Sequence, residues 1–167
     1  MRQKFLRALL ITMLALSCTV NSGVIFASPL EDSLAAYDRG DYATAVRLLR
    51  PLAEQGNAQA QNGLGAMYYN GKGVAQDFKE AVKWYRLAAA QGYASAQLNL
   101  GAMYYEGKGV TEDFIRAYMW LSIAAAKGDA NAVQLRDAVS KYMIDQQIIE
   151  AQAIARKCEV SGFKQCE

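Results

Sequence analysis

Apolar and polar positions along the chain fall into three- and four-residue steps, broken at intervals by glycine. Ala58, Gln61, Leu64, Gly65 and Tyr68 recur on one helical face. The segment Asn70–Gly71–Lys72–Gly73–Val74 then interrupts the pattern. Each interior glycine costs a helix about 1 kcal/mol relative to alanine, and the left-handed backbone that glycine permits ends one. Asp77 stands at the next N-cap position, where its carboxylate accepts from free N–H groups and contributes about 1 kcal/mol. Glu80, three residues on, has capping-box spacing. Phe78, Ala81, Val82, Trp84, Tyr85 and Ala88 form the apolar stripe of a second helix. Two antiparallel helices joined by a glycine-bearing loop are predicted.

The unit repeats. Residues 57–92 and 93–128, aligned with a shift of 36, are identical at 21 positions, including Leu64/Leu100, Gly65/Gly101, Tyr68/Tyr104, Trp84/Trp120 and Ala88/Ala124. Asp113 repeats the cap of Asp77, whereas Arg116 stands in place of Glu80. Gly65/Gly101 and Ala81/Ala117 allow two helices to approach closely, and the large aromatics fill the space beside them. The second half of the same unit is visible in Asp41–Tyr42, Ala45, Ala53 and Gly56, and Asp129–Ala130–Asn131–Ala132 begins another. A single hairpin cannot bury both its faces, so stacking is required. The expected fold is all-α: a solenoid of stacked hairpins, with an N-terminal hairpin at 28–56, repeats at 57–92 and 93–128, and capping helices with a tail at 129–167. In that last region Leu135, Val139, Tyr142 and Met143 share a face, and Asp145 stands as the cap of a helix carrying Ile148, Ile149, Ala153 and Ile154.

Residues 1–27 carry a different pattern. Arg2, Lys4 and Arg7 precede an apolar run from Ala8 to Leu16, and apolar character resumes at Val24 to Ala27. The run is shorter than the ~20 apolar residues that span a bilayer, and Ile25 and Ala27 suit cleavage of an export signal. Leu16–Ser17–Cys18 resembles a lipoprotein cleavage site and leaves lipidation at Cys18 as the alternative. A periplasmic or secreted protein is therefore expected, with no stable membrane span once the signal is removed.

That reading changes the charge. The whole chain is +2, with 18 basic and 16 acidic residues. The export segment holds three of the basic residues and none of the acidic ones, leaving a mature charge of −1. No basic stripe remains for nucleic acid. Cys158 and Cys166 are the two cysteines left. In an oxidising compartment they are candidates for a short disulfide loop, with two free thiols as the other reading.

The absence of histidine removes Ser–His and Cys–His nucleophile pairs and most catalytic zinc sites. No metal site, cofactor or catalytic residue is expected. Gly71–Lys72–Gly73 and Gly107–Lys108–Gly109 have the glycines of a phosphate loop but lack its preceding strand, its spacing and its Lys-Ser/Thr. Asp137, Asp145 and Glu150 have nothing to hold them in pairs.

The blocks AQNGLGAMYYNGKGVAQDFKEAVKWYRLAAAQG and AQLNLGAMYYEGKGVTEDFIRAYMWLSIAAAKG resemble Sel1-like repeats, a branch of the tetratricopeptide-type α-solenoids. Ala36 to Tyr42 looks like the shorter-looped tetratricopeptide variant. The resemblance implies a groove lined by the first helix of each hairpin. It places Gln59, Asn62, Tyr69 and Asn70 of one repeat there, and Ser95, Leu98, Tyr105 and Glu106 of the next. It implies an adaptor or regulator that binds a protein or peptide in the cell envelope. Cysteine-rich relatives are associated with β-lactam binding and hydrolysis, which makes a cell-wall binder or hydrolase the alternative. Those relatives carry a cysteine pair in each repeat, and these repeats carry none.

Overall fold

The computed structural model describes residues 28–166. The expected export segment, and with it the choice between cleavage and lipidation at Cys18, lies outside the described residues. Eight α-helices and no strands are found among the described residues. They are α1 (Pro29–Asp38), α2 (Tyr42–Glu54), α3 (Ala58–Asn70), α4 (Phe78–Ala89), α5 (Ala94–Glu106), α6 (Phe114–Ala126), α7 (Ala130–Ser140) and α8 (Asp145–Val160).

Side-chain caps set most of the helix starts. Asp77 accepts from the N–H groups of Lys79 and Glu80, Asp113 from Arg116, Asn57 from Ala60 and Asp129 from Ala132. Ser28 and Glu31 form a reciprocal capping box at α1. The cap expected at Asp145 is corrected: Ile144 is the N-cap, Asp145 opens the helix, and Gln147 Oε1 accepts from the Ile144 N–H at 3.0 Å. Glycine ends α3 and α5, with Gly71 at φ 67° and Gly107 at φ 64°.

The lower glycine of each long loop has a further job. A Cβ on Gly73 would lie 2.3 Å from the Tyr42 carbonyl oxygen, and one on Gly109 2.3 Å from that of Phe78. Each loop therefore seats its backbone on the first turn of the preceding second helix. Gly65 and Gly101 act within the hairpins, where a Cβ would meet the Tyr85 ring at 2.8 Å or Leu121 Cγ at 2.7 Å.

The hairpins α1/α2, α3/α4 and α5/α6 stack in series, each second helix packing on the next first helix. The buried side chains form two clusters that share α4. Trp84 joins Val46, Leu49, Leu64 and Met67 towards the N-terminus. Val82 and Tyr85 join Leu100, Met103, Trp120 and Leu121 towards the C-terminus. Buried glutamines stitch the seams: Gln61 Nε2 donates to the Ala53 carbonyl at 3.0 Å and Gln97 Nε2 to that of Ala89 at 3.2 Å. These satisfy carbonyls at the ends of second helices, which helices leave unpaired. Arg50 and Arg86 repeat a bond to the tyrosine hydroxyls of Tyr68 and Tyr104, at 3.0 and 2.7 Å.

The C-terminal region caps the stack in two directions. Helix α7 packs on α6 as a fourth first helix would, while α8 turns back onto α6 instead of pairing with α7. Its buried stripe is Ala151, Ala155 and Cys158. Of the apolar residues read on this helix, Ile148 and Ile154 pack half-buried against the core, while Ile149 is 56% exposed and Ala153 is exposed. Tyr142 lies beyond the end of α7 and is exposed. Cys158 and Cys166 form a disulfide.

Candidate functional site

The first helices α1, α3 and α5 line a furrow. Between α3 and α5 it deepens into a cavity of about 270 Å3, walled by Ala66, Tyr69, Asn70, Asn99 and Ala102 and floored by Tyr85 and Met103. A second hollow of about 180 Å3 lies between α1 and α3, bordered by Leu30, Leu34, Tyr37, Gln59 and Gly63. The furrow exists because small residues recur on one stripe: Gly63 and Ala66 on α3, Ala102 on α5. Their short side chains leave space that larger ones would close.

An amide pair spans the repeat junction at the furrow. Asn99 Nδ2 donates to Asn62 Oδ1 at 3.0 Å. A side-chain amide carries two donors and an acceptor with two lone pairs. The pair therefore retains the Asn62 N–H groups and the Asn99 oxygen as complementary donor and acceptor. Asn70 beside them anchors its Nδ2 on the Ala66 carbonyl at 2.8 Å.

The tyrosines at the furrow edge form a ladder with the loop lysines. Tyr69 packs edge-on against Phe78, with ring centroids 5.4 Å apart. Lys108, one repeat on, donates to the Tyr69 hydroxyl at 2.9 Å and pairs with Glu106 at 2.8 Å. The Tyr69 hydroxyl also donates to Glu106 at 3.2 Å. Lys72 repeats the arrangement, lying over the rings of Tyr37 and Tyr42 and donating to the Tyr37 hydroxyl at 2.7 Å. The phosphate-loop-like lysines are thus clasps between repeats, combining cation–π attraction with a hydrogen bond. Both ammonium groups are held protonated above the ordinary lysine range, Lys108 chiefly by Glu106 and then Tyr69, Lys72 chiefly by Tyr37. At the last junction an aromatic ring replaces the lysine. Tyr142 stacks on Phe114, with centroids 5.5 Å apart, and contacts Tyr105 at 6.0 Å. Its hydrogen bond raises the phenol pKa of Tyr105. At the cavity floor, burial and then the proximity of Tyr69 push the Tyr85 phenol up and keep it neutral.

Tyr69, Asn70, Asn62 and Glu106 gather around the α3/α5 junction, and Gln59 borders the neighbouring hollow. Ser95 is exposed on the first turn of α5, outside both hollows. Leu98 packs against the core. Tyr105, placed in the groove by the resemblance, is half-buried and flanked by the rings of Phe114 and Tyr142. Asn99, Ala66 and Ala102 are not singled out by the sequence, and Tyr85 is read there only as core. Continuing in helical steps from Gln59 and Ser95 reaches Gly63, Ala66, Asn99 and Ala102, and this was the available signal for most of them. Asn99 has no counterpart amide one repeat earlier, where Gly63 stands.

Among the described residues no group of three or more His, Cys, Asp or Glu could hold a metal ion, and no helix is long and apolar enough to cross a membrane.

Residues 34–57, 58–93 and 94–129 match the Sel1 repeat model. The fold is similar to the crystal structure of c5321, a protective antigen present in uropathogenic Escherichia coli strains and displaying an SLR fold. The TM-score is 0.76 at 27% identity, over 81% of this chain and 31% of that one. It is also similar to a Sel1 repeat protein from Oxalobacter formigenes, with TM-score 0.60 and 35% identity over 64% of this chain and 42% of that one. The chain thus spans less than half of either structure. No curated protein matches the sequence.

Proposed function

The chain belongs to the Sel1 repeat family, and from that premise we propose that it is an exported, non-enzymatic scaffold that holds an extended protein or peptide segment in the α1/α3/α5 furrow. The observation that carries the reading is the Asn62–Asn99 pair beside an apolar-floored cavity. Its free donor and acceptor suit the backbone N–H and C=O of an extended chain, and the tyrosines beside it add contact area at low entropy cost. The Cys158–Cys166 disulfide supports an oxidising compartment, and the basic–apolar pattern of residues 1–27 supports export. Envelope adaptor or regulator is the role that fits both.

The test is crosslinking in cells followed by identification of the captured protein, comparing the native chain with Asn62→Ala/Asn99→Ala. Both asparagines are partly exposed, and neither belongs to the aromatic clasps. Tyr69→Ala would be a poorer probe, because it also breaks the Lys108 clasp. Capture that depends on the asparagine pair is expected. Equal capture by the double variant overturns the furrow reading. Turnover of nitrocefin, or co-sedimentation with peptidoglycan, would favour the cell-wall alternative instead.

A further inference from the structure

A cavity larger than either hollow of the furrow lies elsewhere. It opens on the side of the second helices, between α4, α6 and the C-terminal hook, with a volume of about 500 Å3. Its surface is mainly apolar, formed by Leu87, Trp120, Phe163 and Cys166, and Lys83 and Lys164 stand at its rim. Leu87 is 44% exposed on this face, whereas Val82, Trp84 and Tyr85 of the same helix are buried.

The hook is a built wall. The disulfide closes the loop 158–166, and Phe163 holds a left-handed backbone at φ 65°, the one non-glycine residue to do so among those described. Its ring sits at the α4–α5 turn, where a Cβ on Gly92 would meet it at 2.9 Å. The corresponding glycines, Gly56 and Gly128, face open space. Lys127 fastens the hook from below, its Nζ 4.5 Å from the Phe163 ring centroid and donating to the Gly92 carbonyl at 2.5 Å. Burial lowers the pKa of this lysine.

We propose that this hook-walled cavity is a second ligand site, for a small anion with an apolar body such as a medium-chain carboxylate. The volume lies in the range of small-molecule sites. The apolar floor takes the body, and Lys83 and Lys164 meet the headgroup. Lys83 is also 3.4 Å from Glu80, a contact that leaves its side chain 59% exposed and able to turn to an anion. Arg86 lines the cavity while donating to the Tyr104 hydroxyl, which adds positive potential without being needed as a free partner.

Calorimetric titration of the oxidised chain with monomeric dodecanoate tests the site, with dodecanol as the neutral control. Saturable one-to-one binding is expected, with dodecanol weaker. Lys83→Ala/Lys164→Ala removes both charge-assisted contacts and should raise Kd by about ten-fold or more. Phe163→Ala should weaken binding, and reduction of the disulfide should do the same. Asn62→Ala/Asn99→Ala should leave binding unchanged, so this result stands apart from the fate of the furrow. No saturable binding, equal affinity for dodecanol, or an unchanged Kd in the double lysine variant would each overturn the proposal.

Discussion

Gly73 and Gly128 both have positive φ, at 71° and 90°, yet they face different surroundings. A side chain at Gly73 would strike the Tyr42 carbonyl, whereas one at Gly128 would meet nothing within 4 Å. Gly73→Ala should therefore cost overpacking and backbone strain together, about 2–4 kcal/mol, while Gly128→Ala should cost the strain alone, about 1 kcal/mol. Urea midpoints of the two variants check the difference; equal shifts would mean that the loop does not seat on α2. Tyr85 gives a pH prediction. Its phenol is held neutral above the ordinary tyrosine range by burial. The unfolded chain therefore releases this proton first once pH exceeds about 10, and stability falls as pH rises beyond that point. Below it both states are protonated and the contribution is complete. Lys108, raised by Glu106 and Tyr69, acts in the same direction over the same alkaline window. Tyr85→Phe keeps the ring against Gly65 and should flatten the alkaline loss, by at most about 1.4 kcal/mol per pH unit. Unfolding curves between pH 9 and 11 would show it, and parallel slopes in the two proteins would contradict it.

At the scale of the elements, α4 is the pivot. Trp84 faces the N-terminal cluster while Val82 and Tyr85 face the other. Trp84→Ala should destabilise the protein by about 3–5 kcal/mol, as large aromatic truncations do. The loss should fall unevenly. Solenoid units contact only their neighbours, and cooperative opening follows such units. Amides of α2 and α3 should lose hydrogen-exchange protection before those of α5 and α6; a uniform loss would show one undivided core. The cap is a second case at this scale. Helix α8 is legible as a helix from its apolar spacing, and its buried face in part, since Ile148 and Ile154 pack against the core. Ala151, Ala155 and Cys158 face α6, and Ile149 faces solvent. The centre of the buried stripe is made of small side chains, which the close approach to α6 favours, with Ile148 and Ile154 at its edges.

For the molecule as a whole, the disulfide ties the last helix to the hook that closes over the α4–α5 turn. Cys158→Ser/Cys166→Ser should lower stability by about 2–3 kcal/mol through loop-closure entropy. The urea midpoint should fall while the far-ultraviolet helical signal is retained. No shift would mean that the hook holds without the bond. The repeat unit, its hairpin form, the glycine-ended first helices and the Asp77 and Asp113 caps could all be read from the chain. Each depends on residues within a few positions of one another, where spacing and backbone conformation already dictate the outcome. The 36-residue copy then implied stacking, since one hairpin leaves a face unburied. The furrow's asparagine pair, the lysine clasps and the hook were decided only by folding. Asn62 and Asn99, Tyr69 and Lys108, and Phe163 and Gly92 are far apart along the chain. Whether such groups meet depends on the offset between stacked helices and on which neighbour fills each gap, and a periodic pattern holds no information about either.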